Sequence, residues 1–167
     1  MKLLSIILIS FLFFPNISWH YNLTEAKQIA KKEHRHILLN FSGSDWCGPC
    51  IRMHNEIFES DVFKKMADTE LVLVNADFPR KKKNQLSQQQ QEINNVMADQ
   101  YNSQGKFPYT LLLDADGKVL KDWDGFPKTN RWDLGCQASR KKPTHCSAWA
   151  WRRPPLPVPL AATAGPK

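Results

Sequence analysis

No stretch of the 167-residue chain is apolar for long enough to cross a bilayer as a helix. The longest run, Leu3 to Phe14, is broken by Ser5 and Ser10 and closed by Pro15-Asn16, at about half of the ~20 residues a membrane helix needs. With Met1-Lys2 placing one positive charge ahead of it, the run has the layout of a secretory signal peptide, expected over residues 1–18 with cleavage near Ser18. An N-terminal anchor or a buried strand is the competing reading. Cysteine is scarce, with four in the chain: Cys47, Cys50, Cys136 and Cys146. A four-cysteine zinc site needs a second close pair, and nine residues separate Cys136 from Cys146, so no structural metal is expected. Acidic residues almost vanish from residues 128–167, where eight basic side chains face Asp133 alone. That segment also lacks Ile, Phe, Glu and Tyr while holding six prolines and six alanines. With no apolar period it is expected to be disordered. The abrupt change of composition resembles a shifted reading frame or a replaced gene end, against a natural Pro-rich tail.

The net charge of +7 does not mark a nucleic-acid binder. Residues 1–127 carry 15 basic and 15 acidic side chains, so the tail supplies the whole excess. A polyanion site needs cations built into a folded face with aromatic or polar readers. Arg80-Lys81-Lys82-Lys83 reads as a solvated loop rather than a binding site. The chain has room for one domain with its own core, expected over residues 19–127.

Within that domain Leu23 to Glu33 reads as a helix, with Thr24 as N-cap and Ala26, Ile29 and Ala30 on one face. Ile37 to Phe41, bounded by Ser42-Gly43-Ser44, suits a strand covered on both faces. Pro49 opens a second helix, whose apolar side continues through Met53, Ile57, Phe58 and Phe63. Leu71 to Val74 is a second buried strand ending near Asp77-Phe78-Pro79. A polar stretch from Asn84 through Gln91 leads into a third helix ending near Tyr101, packed through Ile93, Val96 and Met97. Thr110 to Leu113 and Lys118 to Trp123 form a hairpin about the turn Asp114-Ala115-Asp116-Gly117. The expected architecture is α/β, a central mixed sheet flanked by helices.

The chemistry centres on Trp46-Cys47-Gly48-Pro49-Cys50. Two thiols separated by two residues at a helix start close a small disulfide ring with little backbone movement. The first sits over unpaired backbone N–H groups, where the helix dipole favours an anion and lowers the thiol pKa. Cys47 can then attack a disulfide as a thiolate, and Cys50, one turn inward, can resolve the mixed disulfide. His54, one turn past Cys50, could complete a partial metal site, although a lone histidine at that spacing is more often a surface or packing residue.

Leu38 to Cys50 (LLNFSGSDWCGPC), together with Phe107-Pro108-Tyr109-Thr110-Leu111-Leu112-Leu113-Asp114, resembles the thioredoxin superfamily over roughly residues 23–126. The Ser-Gly-Ser-Asp lead-in and the Asp77 to Lys83 loop are most similar to its exported bacterial thioredoxin-like members. The resemblance implies a thioredoxin-like fold, with Cys47 attacking and Cys50 resolving. It implies that Pro108 is a cis-proline facing the disulfide, and that Trp46, Gly48, Pro49, Phe107 and Pro108 line the substrate site. An X-Pro bond tolerates the cis form; a trans proline starting an edge strand is the alternative. Two features depart from the family. Asn40 stands near where a buried aspartate usually helps move the resolving thiol's proton, and Asn has no titratable proton, so water, Asp45 or Glu56 would have to serve. The last covering element of the fold is expected to be missing or replaced.

These readings converge on a monomeric thiol–disulfide oxidoreductase, periplasmic or secreted, that reduces or exchanges protein disulfides. It would need no cofactor, and its partners would be protein disulfides and an upstream thiol donor, with no nucleic acid and no membrane contact beyond the signal peptide. The alternatives are a soft-metal module delivering Cu(I) from the same cysteines, and an inactive truncated product.

Overall fold

The computed structural model describes residues 17–127. The expected signal peptide, apart from Ile17 and Ser18, lies outside the described residues, as does the segment 128–167 with Cys136 and Cys146.

Five strands form one sheet in the order β1-β3-β2-β4-β5. They are β1 (Trp19–His20), β2 (His36–Ser42), β3 (Leu71–Asp77), β4 (Tyr109–Leu113) and β5 (Val119–Asp124). β1 and β2 run parallel to β3 on either side of it, whereas β4 is antiparallel to β2 and β5 to β4. Helices α1 (Leu23–Glu33), α2 (Gly48–Met53), α3 (Asp61–Glu70) and α4 (Gln88–Tyr101) complete the domain. The expected α/β architecture with a mixed central sheet is the one observed.

Side chains alternate across a strand, which divides the core into two faces. Ile37, Leu39 and Phe41 of β2 join Val72, Val74 and Ala76 of β3 and Leu111 and Leu113 of β4. Leu23, Ala26 and Ala30 of α1 and Met97 of α4 cover them. On the other parity lie Leu38, Leu73 and Leu112, together with a polar row that crosses three strands. Asn40 pairs in register with Asn75 on one side and Thr110 on the other. Its amide donates to Asn75 Oδ1 and accepts from Thr110 Oγ1, both at 3.0 Å. Buried polar groups persist only when partnered in this way.

Local chemistry moves several elements from their expected bounds. Asn22, not Thr24, caps α1: its side chain accepts from the Thr24 N–H at 2.9 Å. The helix expected to run from Pro49 past Phe58 is in three parts. α2 passes into a π-helical turn, His54–Phe58, and Ser60 then caps a separate helix, accepting from the Phe63 N–H. Val96 is 65% exposed and takes no part in packing α4; Asn94 is buried instead, donating to the Asp77 carbonyl and accepting from Gln90. β1 was not expected at all. At two residues it is too short to show a period, and Trp19 secures it by packing its ring 5.2 Å from that of Phe58.

Candidate functional site

Cys47 is the N-cap of α2, and Pro49 sits in the first turn, where its missing N–H leaves no bond unmade. Cys47 and Cys50 are joined by a disulfide, with Cα atoms 5.2 Å apart. The Cys50 N–H donates to Cys47 Sγ at 3.2 Å. Both cysteines are buried, at 5% and 4% exposed, so burial does not distinguish them; the donated hydrogen bond does. It aims a backbone dipole at the Cys47 sulfur, where negative charge would develop on cleavage of the bond.

An aromatic and polar frame holds this turn. Trp46 donates from Nε1 to the Phe78 carbonyl at 2.7 Å and meets the Phe107 ring edge-on at 5.4 Å. Phe78 contacts Phe107 at 5.5 Å, also edge-on. Trp46 folds back over Gly43 so closely that any Cβ there would run into the indole. The Phe107-Pro108 peptide is cis, as expected, and buried Pro108 accepts from the Gly125 N–H at 2.9 Å. Gly48 and Pro49 are exposed at the helix start. Trp46 and Phe107 thus meet directly, each flanking one expected element of the site: Cys47 on one side, Pro108 on the other.

Asp45 and Glu56 are engaged elsewhere. Asp45 accepts from the backbone N–H groups of Arg80 and Lys81 and from Asn84 Nδ2, each at 2.9 Å. The Arg80 bond in particular holds its carboxyl below the usual carboxylate range, against a smaller opposing effect of desolvation. Glu56 pairs with Arg52 through both oxygens. His54 lies 3.5 Å from Glu59, and among the described residues no three His, Cys, Asp or Glu side chains gather as a metal site. Beneath the turn, Met53 Sδ lies 3.6 Å from Thr110 Oγ1. Sequence reasoning missed Phe78, Thr110 and the stacking of Arg80 on Trp46, 3.6 Å from guanidinium to ring centroid, because each is a contact between segments remote in the chain.

Residues 23–133 match the family model for a thioredoxin-like domain. The chain belongs to the thioredoxin-like domain family. Among curated proteins it is similar to the disulfide bond reductase DsbH of Chlamydia pneumoniae, 39% identical over 105 residues that make up 63% of this chain and 61% of that protein. It is also similar to the thioredoxin-related protein DsbJ of the same organism, 38% identical over 63 residues, or 38% of this chain and 18% of that one. The matched segment thus spans less than two thirds of either relative. Among solved structures, a DsbH oxidoreductase aligns with a TM-score of 0.61 and 37% identity, over 68% of this chain and 76% of that one. A thioredoxin from Thermus thermophilus aligns at 0.50 with 14% identity, over 66% and 77%, a likeness of fold alone. In this thioredoxin-like domain Asn40 occupies the buried strand position discussed above, with both its Nδ2 and its Oδ1 hydrogen-bonded across the sheet.

Proposed function

We propose that this protein is a thiol–disulfide oxidoreductase that reduces or exchanges protein disulfides outside the cytoplasm. The observation that carries the reading is the Cys47–Cys50 disulfide at a helix start with the Cys50 N–H on Cys47 Sγ. In the reduced protein the Cys47 thiolate attacks one sulfur of a substrate disulfide, and the other leaves as a thiolate that takes up a proton. Cys50 loses its proton and attacks the Cys47 sulfur of the mixed disulfide, releasing the second substrate thiol. Two electrons pass to the substrate, and the protein is left with the Cys47–Cys50 bond. An upstream dithiol must then supply two electrons to restore it.

Trp46, Gly48, Pro49, Phe107 and Pro108 form the substrate-facing frame in this reading, supported by the ring contact of Trp46 with Phe107 and the exposure of Gly48 and Pro49. Likeness to a disulfide bond reductase favours reduction, and the composition of Met1 to Ser18 favours export. One dithiol suffices for this exchange, so the reading needs no second copy of the chain. The test is trapping. Cys50→Ser should accumulate covalent mixed disulfides with substrate proteins, whereas Cys47→Ser should abolish both trapping and insulin reduction. Activity surviving in Cys47→Ser, or equal trapping by both variants, rejects the assignment.

A further inference from the structure

With Cys47 and Cys50 each about nine-tenths or more buried, a partner's sulfur reaches them only when its chain lies against the residues around them. One wall of that rim is strongly basic. Residues 17–127 hold 14 basic and 15 acidic side chains, and four of the 14 stand in a row at Arg80-Lys81-Lys82-Lys83. All four are exposed. The sequence reads such a run as a solvated loop, but the structure fixes it in place. Asp45 holds the Arg80 and Lys81 backbone and the Asn84 amide, while Trp46 Nε1 holds the Phe78 carbonyl. Lys82–Asn84 closes a 3-10 turn, and the Arg80 guanidinium carbon lies over the ring of Trp46, the neighbour of Cys47, 3.6 Å from its centroid.

Apart from the attraction of Lys81 to the Asp45 carboxylate, the loop's charge is not taken up by ion pairs within the domain. Among the described residues the ion pairs made by lysine and arginine involve Lys31, Arg35, Arg52, Lys64 and Lys106, and none involves these four. The nearby acids are committed: Asp45 to the loop backbone, Asp77 to Ser42 and Ser44. A pinned cationic segment loses little conformational freedom on binding, and it raises the encounter rate of an anionic partner. We infer that the Arg80–Lys83 loop is a docking surface for the substrate protein, selecting polypeptides with acidic residues flanking the reactive cysteine. The inference rests on the redox reading above. A polypeptide fits better than an anionic bilayer, because a flat surface seated on this rim would close off the buried disulfide.

The test measures kcat/KM of the full reduced chain at low ionic strength. Its substrates are three single-disulfide peptides, identical but for flanking Glu, Gln or Lys, and a small neutral disulfide. The Glu-flanked peptide should exceed the Gln-flanked one roughly three- to tenfold, through KM, as expected for a few exposed charge pairs. The Lys-flanked peptide should be slowest. The ratio should fall toward unity in about 1 M salt, where screening acts within about 3 Å. In the triple variant Lys81→Gln/Lys82→Gln/Lys83→Gln the Glu-to-Gln ratio should collapse, and because it is internal to each preparation, partial misfolding does not affect it. A wild-type ratio near unity, or one that survives in the triple variant, overturns the inference while turnover of the small disulfide keeps the redox reading. Failure on every substrate, the small disulfide included, overturns the redox reading itself. Retention on phosphatidylserine vesicles with a peptide ratio of unity assigns the cations to lipid and overturns the inference too.

Discussion

At Cys47 a single donated hydrogen bond gives atomic form to the difference between the two sulfurs that the helix start already implies. The Cys50 N–H favours charge on Cys47 Sγ, so in the reduced protein Cys47 should titrate below the roughly 8.5 of a free cysteine. Thiolate absorbance against pH, read in Cys50→Ser so that one active-site thiol remains, checks this; a value at or above about 8.5 removes the argument. Asn40 poses a different question at the same scale. With no titratable proton it cannot replace a carboxylate, and Asp45 and Glu56 both make other hydrogen bonds. The structural role of Asn40 is clear, since it links Thr110 to Asn75 across the sheet. Asn40→Leu strips both partners and should cost about 1–3 kcal/mol, measured by denaturant unfolding of the oxidised protein. A cost near zero would mean that Thr110 and Asn75 find other partners, with Met53 Sδ already 3.6 Å from the former.

Among the elements, those carried by strong local signals were legible and those defined by partners were not. β2, β3 and the β4–β5 hairpin followed from apolar runs and an Asp-Ala-Asp-Gly turn, and α2 from Cys47 and Pro49 at its start. β1 was invisible because its two residues derive their strand character from pairing with Leu73 and Val74. Apolar spacing through Phe58 and Phe63 concealed the break at Ser60, whose hydroxyl accepts from Phe63 N–H and starts α3 afresh. In the site, the cysteines, Trp46 and Pro108 were legible from one motif each, whereas the Asp45 clasp joins residues 35 to 39 positions apart and leaves no local pattern. That clasp has a pH signature. The Asp45 carboxyl titrates below its usual 3.8 in the folded protein, so its contribution is present above that value and is lost as pH falls through the lower folded value. Amide exchange at Arg80 and Lys81, measured as chemical-exchange-corrected protection, should therefore fall in acid below about pH 3.8. In Asp45→Ala it should be low at every pH. Protection that persists in that variant would show that Trp46 alone holds the loop.

For the molecule as a whole, the question is how much of the chain the described fold needs. Every residue of the main core cluster lies between Leu23 and Leu113, and the family match starts at residue 23, which would leave β1 out. The packing argues otherwise. Trp19 packs its ring at a tilt against Phe58, which in turn contacts Phe63 at 5.0 Å, so β1 both extends the sheet beyond β3 and covers the junction of the π-helical turn with α3. At the far edge, β5 presents Val119 and Leu120 at 44% and 43% exposed, so little apolar burial holds it besides its pairing with β4. A piece spanning residues 17–127 should unfold cooperatively and still reduce a small disulfide. A piece spanning 23–127 should be less stable by more than about 1 kcal/mol, the scale of one aromatic pair with its burial. Denaturant midpoints of the two pieces at equal slope decide it. Equal midpoints would reduce β1 to an ornament of the edge, and a non-cooperative transition in the longer piece would mean that residues beyond 127 complete the core.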